Sequence, residues 1–314
     1  MINTPEKHDI KQNVTIPPFV QMLILFCLLI GLFFIGSALA VGIITAKYGA
    51  QTLMDVMAFD LTSPHDLNGL WILQIVSTTI PLFVTPILFA WVIVRQPHEY
   101  LRDTPKFPLV LLAVAFVIMF FSMPLIELLS NINQKMVLPQ FLKSVEDWMR
   151  STEATAQKAQ DAMLKMNTIG DMLFVLAIVA LFTAIAEEFL FRGCLQTIFV
   201  KWTKNQHAAV WITAFLFSAF HFEFFGFLPR MMLGVLFGYF VVYSGNIWPA
   251  VVGHFVNNGT DVVITYLSQH KQINISPDDQ HVFNYLGYII SFIIILFLFW
   301  VYRYIATAKK QVLL

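Results

Sequence analysis

Two adjacent carboxylates and an arginine, Glu187, Glu188 and Arg192, lie in the stretch AIAEEFLFRG at residues 184–193, inside an otherwise apolar run. An ionisable side chain within a bilayer costs about 2.5–3.5 kcal/mol on insertion scales, so it needs a partner or a function. Glu188 precedes Arg192 by one helical turn, the favourable order for a helical ion pair. Glu187 projects about 100° around the helix from Glu188. It is left to face another neighbour, and a desolvated carboxylate beside a second one suits a general acid or base.

Two more groupings have the types and spacing for chemistry. In FSAFH, residues 217–221, Phe217 sits one turn before His221 on the same helical face, where it can shield and orient the imidazole. In HFVNNGTD, residues 254–261, His254, Asn257, Asn258 and Asp261 form one polar stripe. Such a stripe is unstable against lipid. It must face protein, water or substrate, as interhelical hydrogen-bond glue or as donors to an oxyanion. Glu127, His207 and Glu223 fall nearer predicted span ends and read as interfacial.

Glu187, His221, His254 and Asn258 admit two hydrolytic routes. In one, Glu187 and His221 take a proton from water while His254 and Asn258 hold the carbonyl oxygen as it becomes an oxyanion. In the other, Glu187, His221 and His254 bind a divalent metal such as Zn2+, whose coordinated water is the nucleophile. HExxH, GxSxG and GxGD elements are absent, which leaves zincin, serine and aspartyl chemistry unsupported.

The elements that must position these residues are membrane helices. Of 314 residues, 58% are hydrophobic and only 12% charged, against about 25% charged in soluble domains. The formal net charge is zero and no basic cluster stands out, so a nucleic-acid partner is not expected. Cys27 and Cys194 lie in separate apolar runs without a CxxC spacing, which argues against a disulfide framework or thiol redox centre.

Apolar runs long enough to cross about 30 Å of hydrocarbon predict an all-α, polytopic bundle of about eight transmembrane helices near 19–46, 71–94, 107–129, 171–195, 207–225, 229–243, 247–267 and 283–306. Pro81 and Pro86 should bend the second. The first run is too long for a cleavable signal peptide and reads as a retained span. Between the third and fourth spans, segment 130–168 carries Leu138, Phe141, Leu142, Val145, Trp148 and Met149 at helical spacing among charges, which predicts an amphipathic helix. A single membrane domain is expected over 19–306, with tails at 1–18 and 307–314. Lys7, Lys11, Arg95, Arg102, Lys106, Lys201, Lys204, Arg303, Lys309 and Lys310 fall on one side of this scheme, which predicts cytoplasmic termini. Asp55, Asp60, Asp66, Asp278 and Asp279 fall on the other.

EEFLFR, FSAFH and HFVNN resemble, in order and rough spacing, the EExxxR, FxxxH and HxxxN motifs of the CPBP family, the CAAX proteases and bacteriocin-processing enzymes also called Abi proteins. The resemblance covers about residues 171–267. It implies an intramembrane endopeptidase with a water-accessible polar cavity, acting on a membrane-associated protein or peptide. By motif position it assigns water activation to Glu187 and His221, the oxyanion to His254 and Asn258, and support to Glu188 and Arg192. It leaves metal dependence open. Other classes compatible with ionisable groups in a bundle are an ion- or proton-coupled transporter, for which the internal repeats and paired broken helices are not found, and a non-catalytic scaffold of the same family, which a lost motif position would have favoured.

Overall fold

The computed structural model describes residues 16–104, 107–275 and 282–312, which are helical and contain no β-strand. Lys7, Lys11, Lys106, Asp278 and Asp279, most of the predicted N-terminal tail and the last two residues of the C-terminal one lie outside the described residues.

Helix α1 (Pro18–Tyr48) starts at a proline, which gives up only a backbone donor that a first turn leaves unpaired anyway. It is followed by α2 (Ala50–Ala58) and by α3 (Pro64–Ile93), which begins earlier than predicted because Ser63 and Asp66 close a capping box ahead of Pro64. Widened i→i+5 turns at Ile75–Thr79 and Phe89–Ile93 flank the region of Pro81 and Pro86, where missing backbone donors disturb the hydrogen-bond ladder.

After the short α4 (Pro97–Leu101), α5 runs over Val110–Gln134 and thus takes in residues assigned from the sequence to the amphipathic segment. The amphipathic helix itself is α6, Lys143–Met163. Arg150 donates to Glu146 and the Leu138 amide caps the same carboxylate. Both hold Glu146 below the ordinary carboxylate range, the arginine contact most strongly. Val137, Phe141, Val145 and Trp148 are exposed on and just before this helix.

The remaining helices carry the three motifs. Helix α7 (Ile169–Thr203) opens with a capping box between Thr168 and Asp171 and stops at Lys204, whose left-handed backbone ends the turn. Helix α8 (Gln206–Phe220) is capped by Asn205, whose side chain accepts from the His207 and Ala208 amides. Helices α9 (Phe227–Ser244), α10 (Trp248–Gln269) and α11 (Tyr285–Val312) complete the bundle. Helix α7 lies at its centre, packed against α1, α3, α8, α9 and α10, while α5 backs α9, α10 and α11.

The architecture is a polytopic membrane bundle, but the count of eight crossings is not reached. Among the described residues six helical stretches are long and apolar enough: α1, α3, α5, α7, 224–244 and α11. Helix α8 has only 15 residues, about 22 Å of rise, and ends at Phe220 instead of running on to 225. Helix α10 has 22 residues, but its polar stripe lowers its hydropathy. Among the basic residues used to orient the chain, Lys201 pairs with Glu99 and Arg102 reaches Thr197. The ends of α4 and α7 therefore meet at the same end of the bundle.

Close helix approach is set by small residues, as expected where lipid supplies no hydrophobic drive for association. A Cβ built on Gly36 would lie 2.4 Å from the Val76 carbonyl oxygen, whereas Gly31 and Gly42 of the same helix face open space. Gly36→Val is therefore expected to lower the midpoint of thermal unfolding in detergent, and Gly31→Val and Gly42→Val to leave it unchanged. Equal effects of all three would contradict the α1–α3 contact.

Candidate active site

The site is assembled on α7, α8, α9 and α10. Glu187 and Glu188 end a regular segment, Thr183–Glu188, held between two widened turns at Leu176–Phe182 and Phe189–Leu195. Such turns re-aim the side chains that follow them and recur at functional sites. All of Glu187, Glu188, Arg192 and His254 are buried, Glu188 and Arg192 completely.

Glu188 and Arg192 form the expected pair, Nη1 to Oε1 at 2.7 Å. The same oxygen accepts from His254 Nδ1 at 2.9 Å, so the pair is a triad spanning α7 and α10. Arg192 Nη2 donates to the Gly234 carbonyl at 3.2 Å, and its guanidinium lies 4.2 Å from the Phe217 ring centroid and 5.3 Å from that of Phe237. One turn on, Gln196 donates to the Gly238 carbonyl at 3.2 Å. Two polar side chains of α7 thus reach two backbone carbonyls of α9. The glycines permit this: a Cβ on Gly234 would meet Ala214 at 3.0 Å and Arg192 Nη2 at 3.2 Å, and one on Gly238 would meet Gln196 at 2.9 Å.

His221 caps the end of α8, where Phe222 adopts a positive φ of 55° and the chain turns into α9. Its Nδ1 lies 2.8 Å from the Phe217 carbonyl oxygen. A carbonyl only accepts, so Nδ1 carries the proton and, in the neutral ring, Nε2 presents a lone pair. That lone pair points toward Glu187, with Nε2 to Oε2 at 3.7 Å. Nε2 of His254 approaches the same oxygen at 3.8 Å. Glu187 Oε2 is buried and has no hydrogen-bond partner among the described residues. Phe217 stands edge-on to both imidazoles, and Phe237 stacks on His254 with centroids 5.2 Å apart.

The structure therefore brings Glu187, Glu188, Arg192, Phe217, His221 and His254 together. Asn258 is one turn beyond His254, and its amide donates to the Val179 carbonyl at 3.4 Å while Asn257 donates to it. Asp261, at the end of the stripe, is exposed. His207 meets the Tyr239 hydroxyl at the bundle end, and Glu127 accepts from the Tyr288 hydroxyl, so both stand apart from the cluster.

Sequence reading missed Phe237, Gly234 and Gly238. The Gly-x-x-x-Gly spacing in GVLFG, residues 234–238, was a usable signal for close helix packing. It also missed Asn133 of α5, which donates to the Phe224 carbonyl at 3.0 Å and accepts from the Leu228 amide at 2.6 Å. This pincer holds the turn that follows His221.

Glu187, His221 and His254 are the ligands that the metal-bound alternative requires. Two ligand atoms of a tetrahedral zinc are about 3.4 Å apart, and the two separations here are wider, at 3.7 and 3.8 Å. Among the described residues no group of three or more His, Cys, Asp or Glu side chains is placed to hold an ion. Each spacing is too long for a direct hydrogen bond and short enough for a water to bridge Glu187 to the imidazole. Nearby, a cavity of about 250 Å³ between α1, α7 and α8 is lined by Leu25, Leu29, Leu190, Phe191, Phe220 and Phe222, among others, all apolar.

Removing one member of a buried charge pair leaves the other uncompensated, at a cost of about 3–5 kcal/mol. Arg192→Leu is thus expected to lower unfolding stability in detergent by that order. The double variant Glu188→Leu/Arg192→Leu should lose much less than the sum of the single losses. Additive losses in a double-mutant cycle would contradict the coupling.

No solved structure matches the chain. An uncharacterized protein of Bacillus subtilis (strain 168), YpbD, is 28% identical over 106 residues, covering 32% of this chain and 50% of that protein. The chain thus matches half the length of that curated relative. Residues 169–260, which hold every member of the cluster, match the family described as type II CAAX prenyl endopeptidase Rce1-like. Through this segment the chain is similar to the Rce1-like family.

Proposed function

We propose that the protein is an intramembrane endopeptidase that hydrolyses a peptide bond of a membrane-associated protein or peptide. The observation that carries this reading is Glu187 Oε2, buried, unpartnered among the described residues, and faced by Nε2 of two imidazoles at 3.7 and 3.8 Å. The family match over 169–260 supports a peptidase.

A water held between Glu187 and His221 Nε2 is the nucleophile. As it attacks the scissile carbonyl carbon, its proton passes to the Glu187 carboxylate, and His221, oriented by the Phe217 carbonyl, accepts the second hydrogen bond of the water. The carbonyl oxygen gains the negative charge. His254 holds it through Nε2–H, in the ring form that carries both protons, with Glu188 as counter-ion through Nδ1–H. Asn258 adds its amide when the oxyanion displaces the long 3.4 Å bond to Val179. Glu187 then returns the proton to the leaving amine. Arg192 holds Glu188 in place, so its contribution is positional. Apolar walls such as those of the cavity beside Leu190 and Phe191 suit a substrate that arrives from lipid.

The orientation follows the same logic: with Lys201, Arg102 and their neighbours at the cytoplasmic end, the His221 turn and α6 lie at the opposite end. The transporter and scaffold readings have no feature among the described residues that favours them over hydrolysis.

Cleavage of membrane-tethered peptides by the purified protein is expected to fall by about 10²–10⁴-fold in Glu187→Gln and His221→Ala. Unchanged cleavage in both variants would sink the mechanism. Activity is also expected to persist after exhaustive chelation; loss on chelation with recovery on added Zn2+ would replace the water-only route with a metal-bound one.

A further inference from the structure

One cation beside the site has no part in the mechanism above. Arg230 lies in the first turn of α9, and Gly234 and Phe237 follow it at i+4 and i+7, on one helical face. That face lines the site, since Gly234 accepts from Arg192 and Phe237 stacks on His254. Arg230 is the next step along it, toward the turn that carries His221.

The guanidinium is half used. Nη2 donates to Glu223 Oε2 at 2.5 Å, while Nη1 is buried and has no hydrogen-bond partner among the described residues. A buried donor without an acceptor carries a desolvation cost of about 1–3 kcal/mol that an incoming acceptor removes. Glu223 itself is only partly buried and belongs to the turn at 221–226, which Asn133 grips from α5 and Glu153 of α6 grips through the Phe225 amide at 3.3 Å. Arg230, at the start of α9, is therefore paired to a held turn at the edge of the site. Its planar fork matches a carboxylate, with Nη1 free to start the contact and Nη2 able to complete it as Glu223 gives way.

We propose that Arg230 is a substrate-recognition residue that binds a carboxylate of the substrate beside His221, with Glu223 as the counter-ion displaced on binding. The assignment rests on the peptidase reading of the same site. The carboxylate belongs either to the substrate's chain end or to an acidic side chain, which share this chemistry.

The test uses the full-length protein in detergent with Glu187→Gln as the parent, so that bound peptide is not consumed. The probes are N-dansylated aliphatic tetrapeptides: a free acid, its C-terminal amide, and an amide with one internal glutamate. One of the two carboxylate probes is expected to bind about tenfold more tightly than the plain amide, as one charged hydrogen bond requires, and the one that does identifies the source. Adding Arg230→Gln should abolish the preference without changing the affinity for the plain amide; Glu223→Gln should enlarge it. If Arg230→Gln does not fold, Arg230→Lys, which keeps the charge and loses the fork, should reduce the preference. No preference in the parent, or a preference that survives loss of the guanidinium, overturns the assignment. Cleavage by the native protein is measured in parallel: cleavage without any carboxylate preference removes only the role of Arg230, and preferential binding without cleavage removes only the peptidase reading.

Discussion

The interaction on which the rest of the structure depends is the burial of the Glu188–Arg192 pair in the middle of an apolar helix. Both groups are wholly excluded from solvent, where neither can stand alone. Each neighbouring helix supplies part of the compensation. Helix α10 brings His254 to the carboxylate, α9 brings the Gly234 carbonyl to the guanidinium, and α8 and α9 place the faces of Phe217 and Phe237 against it. A cation over aromatic rings in a desolvated setting contributes about 2 kcal/mol or more. The pair therefore acts as the point at which four helices are registered against one another.

That registration is what makes Glu187 unusual. Its neighbour in the chain absorbs the arginine and the Nδ1 proton of His254, so both partners are used up before Glu187 can compete for them. Glu187 Oε2 then faces two imidazole Nε2 atoms across gaps that a water can fill. Two adjacent glutamates of identical chemistry are thus divided by what each helix face meets: Glu188 is held in an ion pair, and Glu187 Oε2 is left without a hydrogen-bond partner among the described residues. The widened turns on either side of Thr183–Glu188 serve the same end, since a helix with uniform i→i+4 bonding presents its faces at fixed intervals and offers less freedom to aim them.

The His221 turn is the second fixed part. Helix α8 stops short, at Phe220, and the chain reverses through a left-handed Phe222 into α9. A continued helix would carry His221 past Glu187. The turn is held from outside by Asn133 and by α6, where Trp148 meets Phe224, Arg150 covers the Phe225 ring and Glu153 accepts from the Phe225 amide. Burial pushes the Glu153 carboxyl up from its ordinary value. The amphipathic segment is thereby tied to the site, although its own sequence contains no motif.

By itself the sequence determined the class of the molecule and the identity of the polar cluster. Low charge and long apolar runs dictate membrane helices because the backbone must satisfy itself in lipid, and ionisable residues within those runs stand out because burying them is costly. The i,i+4 spacing of Glu188 and Arg192 was enough to foresee their pairing, since it depends on one helix alone. Only the tertiary structure decided the rest: that α8 ends at Phe220, that Glu188 is shared with His254, that Asn258 bonds to Val179, that α9 glycines open the approach of Arg192, and that Arg230 shares their face. Each of these is a contact between helices distant in the chain. Helical periodicity specifies which residues share a face, but not which face of another helix meets it, and that is settled by the packing of the whole bundle around one buried charge pair.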